Sequence, residues 1–150
     1  MRRMLRDAAT RGARVRVIVP GKSDVELSHR AARHLYSGLL RRGVQIYEYQ
    51  PQILHAKLYV TETAAYVGSS NLDTRSLYIN HELMLRLTRP SVVRRAWELG
   101  ELLASRSVRV DAVAWKTSRG PFERLRDALA HWILARADPY VARWLVREPR

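Results

Sequence analysis

Two short apolar segments, separated by a spacer of helix length, restrict the folds open to this chain. Arg14-Val-Arg-Val-Ile-Val19 alternates and then turns continuously apolar, the pattern of a strand about to be buried. Pro20-Gly21 breaks it, and Ser23-Asp-Val-Glu26 has the capping-box pattern that opens a helix. Leu27, Ala31, Leu35 and Leu39 then recur every four residues, so one helical stripe faces a sheet, and Gly43 ends the element. Val44-Gln-Ile-Tyr-Glu-Tyr49 reads as the next strand. Strand, helix and strand at this spacing form a βαβ crossover, which requires a parallel pair.

After Pro51 the pattern predicts strands over His55–Thr61, Ala65–Val67 and Glu82–Leu87. Ser91 is expected to cap a helix carrying Val92, Ala96, Leu99 and Leu103. The fold class is therefore α/β, a mixed β-sheet flanked by helices. The tail differs. A poorly defined stretch from Val108 to Trp115 precedes an amphipathic helix marked by Phe122, Leu125, Leu129, Trp132 and Ile133. Asp138-Pro139 starts a further short helix with Tyr140, Val141, Trp144 and Leu145. These helices are expected to pack on the domain or a partner, with membrane-surface contact as the alternative. The organisation read from this is a domain over residues 1–106 and a helical extension over 107–150.

With 150 residues the chain can bury a core of its own. It has no cysteine, which removes disulfides, zinc–thiolate sites and cysteine nucleophiles. No apolar run is long enough to span a bilayer, and the N-terminal residues lack the apolar core of a signal peptide. The formal charge of +13 is carried almost wholly by arginine and favours anionic partners: lipid headgroups, nucleic acid or a phosphorylated substrate. A GC-rich genome and ordinary solvated arginines would give the same composition.

Against that background lysine is scarce, with only Lys22, Lys57 and Lys116 in the chain. Lys57 stands two residues after His55, and on a strand two such side chains project to the same side. Gly68-Ser-Ser-Asn71 follows the next short strand, and an antiparallel turn would bring Ser69 and Asn71 beside His55. Imidazole, ammonium, hydroxyl and carboxamide around one volume suit phosphoryl transfer. Histidine titrates near neutral pH, and positive charge and neutral donors stabilise the oxygens on which charge builds. Glu82 can fix the tautomer of the imidazole. Taken singly, each of these residues reads more simply as a half-buried polar group or a turn residue. His29, His34, His81 and His131 have no such company and read as surface or structural groups.

His55-x-Lys57, then Glu62, then Gly68-Ser69-x-Asn71 resembles the HKD signature of the phospholipase D superfamily, H-x-K-x4-D followed by G-S-x-N. Asn71-Leu-Asp73-Thr-Arg75-Ser76 and Asn80-x-Glu82 are similar to its cardiolipin synthase branch, as are Arg11–Arg16 and Val44–Tyr49. The likeness runs from residue 2 to about Ala104 and is strongest to the second half of these two-motif enzymes. It implies a phospholipase D-like half-domain and a phosphohistidine mechanism in which two histidines, one from each half, meet. One attacks phosphorus. The other protonates the leaving alcohol and activates the acceptor, and no metal or other cofactor is needed. Carried over, His55 is one of that pair and, in a second half, the general acid/base. Lys57 and Asn71 bind phosphate oxygens, Ser69 supports the phosphate site and Glu82 orients the imidazole. Glu62, Gly68, Asp73 and Arg75 belong to the structural motif.

The sequence departs from the family pattern at three points. Glu62 replaces the motif's aspartate, and the segment from it to Gly68 is one residue short. Only one histidine motif is present, so a complete site needs a second half, from a homodimer or a separate N-terminal chain. The half-domain is also expected to lack its first strand, leaving a sheet edge exposed. The expected function is phosphatidyl transfer of cardiolipin synthase type on an anionic phospholipid, at the cytoplasmic, inner face of the cell membrane. The alternatives are a metal-independent phosphodiesterase acting on nucleic acid, and a non-catalytic remnant or anionic-lipid-binding subunit.

Overall fold

The structure is a computed structural model that describes residues 2–71, 76 and 80–137. Helix α1 (Arg2–Thr10) leads to β1 (Arg16–Pro20), and α2 (Glu26–His34) and α3 (Tyr36–Leu40) lead to β2 (Gln45–Tyr49). β1 and β2 pair in parallel, Arg16 opposite Gln45 and Pro20 opposite Tyr49, which is the crossover expected from the sequence. Gly43 takes a φ of +81°, the left-handed conformation that ends α3 and lets the Val44 amide reach back to the Leu39 carbonyl (3.2 Å).

The strands form two sheets rather than one. β3 (Leu58–Val60), β4 (Ala65–Gly68) and β5 (Met84–Leu87) make an antiparallel meander. β6 (Ser107–Arg109) adds antiparallel to β2, so the first sheet has the order β1-β2-β6, with β1 at its edge. Helix α4 (Pro90–Ser105) holds the two sheets together. Its Glu101 takes a two-pronged ion pair from Arg16 of β1, and its Trp97 indole donates to the Thr61 carbonyl at the β3–β4 turn (3.3 Å).

The core lies between the first sheet and its helices, where Tyr36, Leu39, Val44, Ile46 and Trp115 bury one another. Full burial of an apolar side chain such as Ile46 stabilises by about 2 kcal/mol. Trp115 comes from α5 (Ala112–Thr117), which Asp111 caps by accepting from the amides of Val113 (2.9 Å) and Ala114 (2.7 Å). Its ring leans on Tyr36 at 4.9 Å and its indole N–H donates to Ser37 Oγ (3.2 Å). The stretch that looked undefined in sequence therefore supplies a strand and a core tryptophan.

Some local expectations change. α2 starts at Glu26, so Ser23 falls outside the N-cap position; its hydroxyl accepts from the Val25 amide (3.1 Å), and Glu26 pairs with Arg30 one turn on (2.7 Å). The following stripe breaks at Leu35 into two helices. α4 begins at Pro90, whose missing N–H suits the first helical position, and Ser91 lies inside the first turn rather than capping it. Helix α6 (Pro121–Trp132) packs on α2 and runs into a π-helical turn, Ile133–Ala137. The helix expected from Asp138-Pro139 lies outside the described residues.

Candidate active site

The hairpin of β3 and β4 turns tightly. The Thr61 amide donates to the Ala64 carbonyl (2.8 Å), and the Thr61 hydroxyl accepts from the Ala64 amide (3.1 Å). Glu62 sits in this shortened turn, exposed, at the rim of a cleft with Trp97 and Arg94 of α4. The turn closes without a non-glycine residue in the left-handed region among the described residues. Its tightness fixes the register that matters for the site: Leu58 faces Val67, and the Gly68 amide reaches the Lys57 carbonyl (3.4 Å). Lys57 thus lies opposite Gly68, one residue before Ser69.

The regular strand starts at Leu58, three residues later than His55, so His55 and Lys57 stand on the segment leading into β3. His55 is exposed and its imidazole makes no hydrogen bond among the described residues; Lys57 is half-buried. On the far side of β4, Gly68 pairs with Met84 so closely that a Cβ would stand 2.0 Å from the Leu83 carbonyl oxygen, a spacing only glycine permits.

That close approach docks the loop after β4 on the segment before β5. Ser69 and Leu83 exchange backbone contact, Ser69 N–H to Leu83 carbonyl (3.0 Å), while the Leu83 amide donates to Ser69 Oγ (3.0 Å). The Ser69 hydroxyl then donates to Glu82 Oε2 at 2.5 Å, and Asn80 Nδ2 donates to Glu82 Oε1 (3.3 Å). The Ser69 hydroxyl, then Ser76 and Asn80, and the nearby Lys57 charge hold the Glu82 carboxyl below its usual range. Tyr59 secures the loop from beneath by donating to the Ser70 carbonyl (2.8 Å).

The structure therefore brings Lys57, Ser69 and Glu82 to one rim of the second sheet, with His55 on the adjoining segment and Asn71 exposed at the end of the loop. Glu82 spends its hydrogen bonds on Ser69, Ser76 and Asn80. Asp73 and Arg75 lie outside the described residues. Sequence reasoning did not assign a site role to Ser76 or Tyr59. Ser76 had one visible cue, its place in the branch-like segment; nothing local to Tyr59 signals that its hydroxyl reaches across to Ser70. Among the described residues, no cluster of His, Asp and Glu is arranged to hold a metal ion. No helix among them is long and apolar enough to cross a membrane.

A family model described as "Cardiolipin synthase, PLD-like domain" matches residues 1–100, a span that contains the whole constellation. The chain belongs to this phospholipase D-like family. The probable cardiolipin synthase YwiE of Bacillus subtilis is 32% identical over 131 residues, covering 87% of this chain and 26% of that protein. Cardiolipin synthase A of Buchnera aphidicola is 32% identical over 127 residues, 84% of this chain and 26% of its own. Cardiolipin synthase B of Escherichia coli reaches 44% over 79 residues, 52% of this chain and 19% of that protein. This phospholipase D-like chain thus spans about a quarter, or less, of the length of the curated relatives it matches. No solved structure matches it significantly.

Proposed function

We propose that this chain contributes one half of a phosphatidyltransferase site of cardiolipin synthase type, working through a phosphohistidine. The observation that carries the reading is the convergence of Lys57, Ser69 and Glu82 on one rim, with His55 two residues before Lys57 on the same segment, in a member of this family. His55 serves as general acid/base and the second half supplies the nucleophilic histidine. That nucleophile bonds to phosphorus as the bond to the leaving glycerol oxygen breaks, and the His55 imidazolium gives the alkoxide its proton. The acceptor alcohol then passes its proton to His55 while its oxygen displaces the histidine. Lys57 and Asn71 hold the phosphate oxygens, and Ser69 and Glu82 fix the loop that presents them.

Exposure supports the need for a second half. His55, Ser69 and Asn71 all face open solvent, where water competes with the acceptor alcohol and screens Lys57. A second phospholipase D-like half, from another copy or a separate chain, covers this rim at the cytoplasmic face of the membrane. The test is turnover of phosphatidylglycerol vesicles by the chain alone and mixed with a phospholipase D-like N-terminal half. Turnover in the mixture that disappears with His55→Ala supports the proposal. No turnover in the mixture, or unchanged turnover in His55→Ala, overturns it.

One observation favours a second reading, a non-catalytic lipid-binding subunit: the imidazole of His55 makes no hydrogen bond to Glu82, whose oxygens are taken by Ser69 and Asn80. Turnover in the mixture that is lost in His55→Ala, while that variant still binds the vesicles, excludes that reading.

A further inference from the structure

Helix α6 is turned the opposite way from a helix that buries its apolar stripe on its own domain. Phe122 (68% exposed), Leu125 (66%), Leu129 (55%) and Trp132 (57%) follow one another at helical spacing along its outer face. Its inner face is polar or small. Asp127 and Ala130 are buried against α2, with Asp127 paired to Arg30 and Arg119, and His131 stacks on His34 with ring centres 4.9 Å apart. The domain thus holds this helix by an ionic and aromatic latch and leaves its apolar side uncovered among the described residues.

The charges on α6 are sorted in the same way. Arg126, and Arg136 just beyond the helix, are exposed, and the Arg126 guanidinium lies 5.7 Å from the centre of the Phe122 ring, on the stripe itself, while Arg124 turns back to donate to the Lys116 carbonyl (2.6 Å). Both carboxylates of the helix belong to the other side: Asp127 is in the latch, and Glu123 lines the cleft shared with Glu26 and Arg30 of α2. The outward face is therefore apolar and aromatic with arginine alone for charge. A surface rich in negative phosphates above a hydrocarbon layer complements both properties at once.

We propose that α6 is an interfacial helix, which lays Phe122, Leu125, Leu129 and Trp132 into the headgroup boundary of an anionic phospholipid bilayer while Arg126 and Arg136 meet the phosphates. The proposal stands on this face alone and holds whether or not His55 is catalytic. Its occupant is a bilayer rather than a protein because the face offers no acidic group to steer a partner and its only charges, Arg126 and Arg136, are positive.

Flotation of the full chain with phosphatidylcholine vesicles, with and without phosphatidylglycerol, tests it. Wild type is expected to float with the anionic vesicles, and Leu125→Glu combined with Leu129→Glu to weaken partitioning about tenfold or more. Arg126→Gln with Arg136→Gln is expected to reduce the preference for phosphatidylglycerol. Trp132→Phe, which keeps the fold, provides a second reading: quenching of tryptophan fluorescence by brominated lipid should fall in that variant. Failure of wild type to float, unchanged partitioning in the double glutamate variant, or equal quenching in Trp132→Phe overturns the proposal. So does a double glutamate variant that dissociates a multimer yet still binds vesicles, since that face would then contact protein.

Discussion

Ser69 is the residue on which the site turns, because one hydroxyl both accepts from the Leu83 amide and donates to Glu82. It is the first cause of the lowered carboxyl of Glu82, ahead of Ser76, Asn80 and the Lys57 charge. A depressed carboxylate favours the folded site above the ordinary value of 4.5 and loses that contribution as pH falls through the lowered one. Carboxyl-carbon NMR should therefore show Glu82 titrating below its usual range, with the midpoint moving upward in Ser69→Ala. The difference in melting temperature between wild type and Ser69→Ala should be full near neutral pH and shrink in strong acid. An unchanged Glu82 midpoint in Ser69→Ala would show that the hydroxyl does not hold the carboxylate. The components of this arrangement were legible in sequence because His55, Lys57, Gly68 and Ser69 sit at fixed local spacings. The partners of Glu82 were less so: Ser76 lies six residues away, and no local spacing predicts its contact with Glu82.

At the scale of elements, the tail shows why pattern alone does not fix which way an apolar stripe faces. Phe122, Leu125, Leu129 and Trp132 form an apolar stripe, and stripes usually face a core, yet here they face out. What decides the orientation is Asp127, 2% exposed and paired with Arg30 of α2 and Arg119 of the preceding loop. Long-range ion pairs leave no periodic trace in sequence. β6 was invisible for a related reason: Ser107-Val-Arg109 is too short to alternate and is a strand only because β2 offers it an edge. The βαβ crossover was legible because its signals are local, two apolar strands and a glycine stop. Removing the buried carboxylate strands two arginines, so Asp127→Ala should destabilise the chain by about 3 kcal/mol. Urea unfolding measures it, and Asp127→Asn, which keeps an acceptor, should lose less. A loss within experimental scatter would mean that α6 is held by other contacts. The cap of α5 is a smaller case, with Asp111→Ala costing about 1 kcal/mol in the same assay.

The whole molecule divides its burial unevenly between its sheets, and the site lies on the thinner side. The first sheet carries the packed cluster of Tyr36, Leu39, Val44, Ile46 and Trp115. Around the second, the buried apolar residues among those described are Ala64 and Ala65 with Val93 of α4, small side chains that remove little apolar surface from water, while Leu83, Leu85 and Val67 are exposed. Its ties to the rest run through α4, by the Trp97 bond to Thr61 and by the Arg16–Glu101 pair that anchors the helix to β1. Regions with few buried contacts open with less free energy than the global unfolding. Hydrogen exchange should therefore protect the amides of Val17 and Ile46 longest and those of Val67 and Leu85 least among strand amides. Equal protection in both sheets would show one cooperative unit and remove the argument. The consequence for function follows from the same asymmetry. A second half that covers the rim of β3, β4 and β5 buries the exposed leucines and the site together, so its binding should raise protection in those strands while leaving β1 and β2 unchanged. Selective protection of Val67 and Leu85 on mixing would tie completion of the site to stabilisation of the sheet that carries it.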